Sequence, residues 1–448
     1  MRSVLPFFIL SAAVFAAGTP ARAPATPPDF NTLIEQGRAS LTAFDIPSAQ
    51  HAWADACPQG RLSGFPPDQA ALCEHDFGAL AEALGRDEEA ASHYRNSLAL
   101  WEKCGPAYLP HRISTLTNLG GVYRRRRLLA DAEAVLSQAH DLVMPLAAAN
   151  PSLYATVLGR AGALYGDLDQ SDRAHRMLDE AIATLRTLPQ SGALELAYAY
   201  DSLGMLDLRS GHYKAGESNL RQALALSSMT FGEDNPETAA YSTDLALALL
   251  IQGQYNGAGT LLRRARFVIE SRLGPDSFQL INVLAEQTSV EKESGHFAAA
   301  EDYCEKAILI LNRRLAANRA EKGSDEKDSV ESILLQVNLG NLYVREHKIA
   351  DAERVLPSAV AAERRLLKGR RTLADGLRDL AALRSQQHAW SEAESLYREA
   401  IGLYERNLGP DHPDIAPVLR DYAAVLKHQG APKAEVKNIE ARARSLAG

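Results

Sequence analysis

Small, apolar and polar side chains recur along this chain in a fixed order, and that order predicts pairs of closely packed helices. Gly120 is followed twelve residues later by Ala132, and then by Leu136 and Ala139. Residues three or four positions apart share one face of a helix, so the small side chains would let two helices approach while the leucine fills the space between them. One such stretch therefore predicts one antiparallel helix pair.

The same order returns about every 42 residues along nearly the whole chain. A repeat of this length is typical of a solenoid, in which each helix pair packs only on its neighbours. One longer step contains a charged insertion, Asn318 to Asp328, which predicts a protruding loop or a helix extension. The first small position of each predicted pair falls at Gly37, Gly78, Gly120, Gly162, Gly204, Ala246, Thr288, Gly340, Ala381 and, less cleanly, Ala423.

The links between pairs carry a second motif. LGPDHPDIA at 408–416 is echoed by FGEDNPETA at 231–239. Together with the small-residue pattern, these links make the chain resemble the tetratricopeptide repeat, in the longer variety found in kinesin light chains and many bacterial relatives, here as an exported member. The resemblance implies an all-α, right-handed superhelical solenoid of about ten helix pairs that binds a protein or peptide partner and needs no cofactor.

The two ends of the chain depart from the repeat. Arg2 precedes an apolar run from Val4 to Ala17, which is typical of a signal peptide, although an uncleaved N-terminal anchor is the alternative. The last predicted helix is polar on one face, as the cap of a repeat array must be. We therefore expect a periplasmic or secreted protein with a signal peptide at 1–23, a flexible mature N-terminus at 24–28, the solenoid at 29–430 and a capping helix at 431–448.

Composition and motifs narrow the classes of function. The net charge of −8 argues against a general nucleic-acid-binding protein. The sequence contains no phosphate-binding glycine loop, no two-histidine metal helix, no paired CxxC and no serine elbow. We therefore expect no enzymatic activity, no metal site and no integral membrane segment after signal cleavage.

The cysteines and one arginine run leave alternatives open. Cys57 closes one predicted helix and Cys73 lies about one turn inside the next, so an exported protein could join them in a disulfide. A Cys73–Cys104 disulfide and three free thiols are the other possibilities. The run Arg124 to Arg127 lies in a predicted turn, where it indicates either a contact for an acidic partner or a solvated turn.

Two residues before each small position, the side chain is polar in every repeat. A position between apolar and small residues would be apolar if it faced a neighbouring helix. This series of polar side chains, which we call the ladder, is therefore predicted to form an exposed row along the first helices. In the proteins that the chain resembles, this face is concave, and an Asn at the matching site binds the backbone of an extended peptide; Asn118 and Asn338 match that residue. The expected peptide-binding groove is formed by Asp76, Asn118, Arg160, Ser202, Asp244, Glu286, Asn338 and Asp379, and Glu35 and Asp421 end the ladder.

The resulting hypothesis is a non-enzymatic scaffold that binds a protein or an extended peptide segment in this groove. A peptide-sensing regulatory protein and an envelope secretion or assembly factor are the alternatives. A ladder that is merely solvated, without a ligand, would also produce the pattern.

Overall fold

The structure, a computed structural model, describes residues 29–58, 64–188, 192–322, 330–367, 369 and 371–446. The expected signal peptide and flexible N-terminus lie outside the described residues, and so do residues 323–329 of the insertion. The helix before them continues to Lys322, so the described part of the insertion extends a helix.

The described residues form twenty α-helices and no strand. Each odd-numbered helix packs against the next even-numbered one, which confirms the predicted all-α repeat solenoid. The bounds are α1 Phe30–Thr42, α2 Ile46–Ala56, α3 Pro67–Ala83, α4 Asp87–Trp101, α5 Leu109–Arg125, α6 Leu129–Val143, α7 Pro151–Asp167, α8 Ser171–Arg186, α9 Ala193–Arg209, α10 Tyr213–Phe231, α11 Pro236–Ile251, α12 Tyr255–Leu273, α13 Leu280–Glu293, α14 Phe297–Lys322, α15 Val330–Arg345, α16 Ile349–Leu366, α17 Arg371–Gln386, α18 Trp390–Leu408, α19 Ile415–His428 and α20 Lys433–Leu446.

Glycine lies where the two helices of a pair approach most closely. A methyl group built on Gly120 would lie 2.4 Å from Cγ of Leu136, and one built on Gly78 would lie 2.6 Å from the Tyr94 ring. Both distances are too short for real carbon contacts, so each large residue occupies the space that the glycine leaves. The spacing in the sequence therefore identified the contacting residues correctly.

Every pair reverses direction through one residue in the left-handed backbone region, seven positions after the small residue. Glycine adopts that conformation at little cost, whereas other residues pay about 1–2 kcal/mol. Half of the turns nevertheless lack glycine: the turn residues are Phe44, Gly85, Arg127, Asp169, Gly211, Gly253, Gly295, His347, His388 and Gly430.

The helices fall into two compact units. The N-terminal unit comprises the described residues up to Leu206 together with Lys214–Asp244, and the C-terminal unit comprises Asp207–Tyr213 and the described residues from Leu245 onward.

In the N-terminal unit a disulfide joins Cys57, after α2, to Cys73 of α3, with 5.8 Å between their Cα atoms. Cys104 and Cys304 are free thiols.

Candidate functional site

The ladder lies along the first helices of the pairs, but the expectation that it is exposed is wrong for most of its members. Ser202 and Asn338 are partly buried, and only the end members Glu35 and Asp421 are exposed. At Asp76 the cover is a long side chain from the neighbouring first helix. The buried members, with their exposed fractions, are Asp76 (0%), Asn118 (2%), Arg160 (4%), Asp244 (5%), Glu286 (7%) and Asp379 (5%).

Asp76 shows how a neighbouring pair covers a ladder residue. Arg38 of α1 reaches across to α3 and donates from Nε to both Asp76 carboxylate oxygens, at 3.1 and 3.2 Å. Burial raises the pKa of Asp76 to about 6, although Arg38 opposes the shift. The carboxylate of Asp76 is therefore paired within the fold.

The arginine run joins three consecutive pairs of the N-terminal unit, so neither a partner contact nor a solvated turn describes it. Arg125 donates to Glu82 of α3 at 2.6 Å and to Asp87 of α4 at 3.0 Å. Arg124 and Arg127 both lie 3.4 Å from Oδ2 of Asp167 in α7. These ion pairs hold α5 to the pairs before and after it.

The C-terminal unit also places basic side chains close to an acidic member of its ladder. Lys292 Nζ donates to Oδ1 of Asn341 at 2.9 Å. Burial lowers the pKa of Lys292, while Asp379 favours its charged form. Asp379 accepts from its neighbour Arg378 at 3.0 Å. Burial raises the pKa of Glu286 as well.

Three polar side chains of the N-terminal unit are buried with atoms that find no hydrogen-bond partner among the described residues. Both amide atoms of Asn118, both carboxylate oxygens of Glu237 and Oδ1 of Asp201 are in this state. Burial raises the pKa of Asp201 to about 7 and that of Glu237 to about 8. Sequence reasoning missed the two acids because neither occupies the ladder register, although Asp201 directly precedes Ser202.

Arg160 connects these groups along the ladder face. Its guanidinium carbon lies 4.2 Å from the centre of the Tyr198 ring, a cation–π contact between α7 and α9. On its other side, a methyl group built on Gly121 of α5 would lie 3.7 Å from Arg160 Nη1. Asn118 lies one turn before Gly121, so Asn118, Arg160 and Tyr198 follow one another across three adjacent first helices.

In the part of the chain that the structure describes, no group of three or more His, Cys, Asp or Glu side chains could hold a metal ion. No helix in those residues combines the length and the apolar character that a membrane span requires. The chemistry that the ladder face offers is thus hydrogen bonding and charge pairing.

The sequence was compared with known protein families. Residues 195–266 and 372–438 match the tetratricopeptide repeat family. These segments therefore resemble tetratricopeptide repeats. They cover α9 to α12 and most of the last four helices, and repeats of this type serve as protein-interaction scaffolds. No curated protein matches the sequence.

Several solved structures are similar to this chain at low identity. A Rap protein complexed with competence and sporulation factor has a TM-score of 0.52 and 12% identity, over 89% of this chain and 98% of that one. The apo form of RapI has a TM-score of 0.46 and 13% identity, over 64% of this chain and 99% of that one. A putative kinesin light chain from Podosopora anserina has a TM-score of 0.35 and 18% identity, over 46% of this chain and 94% of that one. Of these three structures, the Rap complex has a TM-score above 0.5 and supports the fold.

Proposed function

We propose that this chain is a non-enzymatic binding protein that holds an extended peptide segment of a partner against the ladder face of its N-terminal unit. The observation that carries the proposal is Asn118, which is 2% exposed and leaves both amide atoms without a hydrogen-bond partner among the described residues. A side-chain amide offers one acceptor and two donor hydrogens, and a peptide group presents one N–H and one C=O. An extended backbone therefore satisfies both ends of Asn118.

Two further points support a peptide as the ligand. The fold is similar to that of a Rap protein whose structure contains competence and sporulation factor. Small residues also lie on this face, Gly121 on the same helix as Asn118 and Gly159 on the next first helix, and side chains rather than backbone cover them. A built methyl group meets only side-chain atoms at 3.6 Å or more at these two glycines, unlike the tight pair contact at Gly120.

Selection from a displayed library of random twelve-residue peptides on the full-length protein tests this function. We expect peptides to enrich, and we expect Asn118→Ala to weaken their affinity by about tenfold or more, since each lost hydrogen bond contributes about 0.5–1.5 kcal/mol. The matched control is Asn256→Ala, which removes an exposed amide from α12 and should leave the affinity unchanged. Failure of any peptide to enrich, or equal binding by both variants, would contradict the proposal.

We also propose that the protein is exported and that its apolar N-terminal segment is removed. Arg2 and the run from Val4 to Ala17 support export, and a disulfide between Cys57 and Cys73 suits an oxidising compartment. N-terminal sequencing of the native protein should begin between Ala17 and Pro24. An intact Met1 on a cytosolic protein would contradict export, whereas an intact Met1 on a membrane-bound protein would indicate an anchor.

A further inference from the structure

Two neighbouring first helices of the N-terminal unit bring three buried carboxyl groups together. Asp201 lies on α9, while Glu237 and Asp244 lie on α11, and none of the three residues is more than 9% exposed. A side-chain hydrogen bond with Asp244 acts to lower the pKa of Asp201. Such a bond requires a proton on one of the two carboxyl groups, because ionised carboxylates only accept. We call Asp201, Glu237 and Asp244 the acidic cluster.

The acidic cluster is incomplete as a hydrogen-bonding arrangement. Both oxygens of Glu237 and Oδ1 of Asp201 lack partners among the described residues, although Glu237 is only 4% exposed. Buried polar groups in native proteins are nearly always paired, and each exception needs an explanation. These three oxygens are all acceptors when ionised, so the missing group is a hydrogen-bond donor.

An amide beside the cluster gives a second, independent sign of a ligand. Asn118 of α5 is 2% exposed, and neither its nitrogen nor its oxygen has a partner within the described ranges. Arg160 links it to the cluster, since this side chain approaches Gly121 on one side and covers the Tyr198 ring on the other. Tyr198 lies one turn before Asp201 on α9. The orphan amide and the orphan carboxylates therefore share one face.

The charges around the cluster favour a cation. Glu237 interacts electrostatically with Arg160, Arg125, Glu82 and Asp201. Arg125 is already held by Glu82 and Asp87. Arg124, which also acts on Asp201, is paired with Asp167. A further cation would supply the missing donors and offset the negative charge of the ionised cluster.

We propose that the acidic cluster binds the guanidinium group of an arginine side chain in the peptide, while Asn118 holds the peptide backbone beside it. This inference rests on the peptide-binding function proposed above. A guanidinium group carries five donors in one plane and binds carboxylates in a bidentate manner, whereas an ammonium group is a compact point charge.

The protonation of the cluster gives the proposal a pH signature. Burial raises the pKa of Glu237 to about 8 and that of Asp201 to about 7, and Arg160 opposes the shift at Glu237. Near neutral pH these carboxyl groups are largely protonated, so a bound cation must displace protons, and affinity for it rises from about pH 6 to about pH 8.5. Glu237 and Asp201 act on each other. The other groups that act on them are Glu82 of α3, Arg124 and Arg125 of α5, Arg160 of α7, and Asp244 and Tyr241 of α11.

Fluorescence polarisation with four peptide pools tests the cluster on the full-length protein. Each labelled pool has nine residues, random except for a central arginine, lysine, citrulline or glutamate; citrulline keeps the shape of arginine without its charge. We expect the arginine pool to bind at least about tenfold more tightly than the citrulline pool at pH 8.5, with a smaller ratio at pH 6. Glu237→Gln should remove most of that ratio without lowering the thermal midpoint, because it replaces a carboxylate that has no partner. The matched control is Glu270→Gln, which removes an exposed carboxylate from α12 and should keep the ratio.

The outcomes separate this inference from the function on which it rests. Equal binding of the arginine and citrulline pools would overturn the cation site and leave the peptide groove standing. An arginine preference that persists in Glu237→Gln would overturn the assignment to the acidic cluster. Equal binding of lysine and arginine would support a cation site but overturn the choice of guanidinium. No binding by any pool would overturn the proposed function and the cation site together.

Discussion

Arg125→Ala should lower the free energy of unfolding by about 3–5 kcal/mol, the typical cost of removing one partner from a buried ion pair. The side chains of Arg125 and Glu82 are only 7% and 2% exposed, and their atoms lie 2.6 Å apart. Without the guanidinium, Glu82 keeps a hydrogen bond from Tyr94 but loses its ion-pair partner. Urea unfolding followed by circular dichroism measures the loss, with the first transition assigned to the N-terminal unit if the two units unfold separately.

The chain supplies a matched control in the next residue. Arg126→Ala removes the same side chain from a pair in which Arg126 is 30% and Glu88 is 45% exposed, so the expected loss is below about 1 kcal/mol. Adding Glu82→Gln to Arg125→Ala should recover part of the large loss, because the carboxylate left behind is then neutral. Equal losses for the two arginines, or no recovery in the double variant, would contradict the view that Arg125 holds consecutive pairs together.

Glu363→Gln should stabilise the C-terminal unit at alkaline pH, on the order of 3 kcal/mol. Glu363 is fully buried on α16, and both of its carboxylate oxygens lack hydrogen-bond partners among the described residues. Gly376 of α17 passes directly over it, since a methyl group built there would lie 2.3 Å from Oε2. Burial, aided by Asp375 and Asp379, raises the pKa of Glu363 from its ordinary 4.5 to about 8.

The sign of the pH dependence follows from that shift. Between pH 4.5 and about 8 the folded chain keeps the proton that the unfolded chain loses, so Glu363 makes stability fall as the pH rises through this window. Thermal unfolding should therefore show no difference between wild type and Glu363→Gln near pH 4 and a growing advantage of the variant up to pH 9. Glu399→Gln, which alters a 43% exposed carboxylate paired with Arg364, should show no such trend. A pH-independent difference would argue against burial of the ionised Glu363.

The sequence predicted the helix pairs because their packing depends on local spacing. Gly120, Ala132 and Leu136 lie within seventeen residues of one another, and their contact follows from helical geometry alone. The burial of Asp76 could not be predicted in the same way. It depends on Arg38, which comes from the preceding pair and is thirty-eight residues away.

The acidic cluster was missed for a related reason. Glu237 lies in the first turn of α11, outside the ladder register. The pattern of a single repeat therefore does not predict that it is buried. Its burial depends on how several first helices of the N-terminal unit pack, and repeat spacing carries no information on that packing. The arginine run was misjudged on similar grounds, because its acidic partners Glu82, Asp87 and Asp167 belong to other pairs.

The residue in the left-handed backbone region, which reverses the chain within each helix pair, affects how such a chain can change its length. Each pair carries its own small residue, its own filling side chain and its own reversal at constant offsets, and the reversal does not depend on which amino acid occupies it. A recombination between any two equivalent points in the coding sequence would therefore add or remove a complete pair and leave the remaining pairs in register. Length is then the property that this architecture alters most readily, whereas pairs that share Arg125 or Arg38 with their neighbours are the ones that such an event would damage.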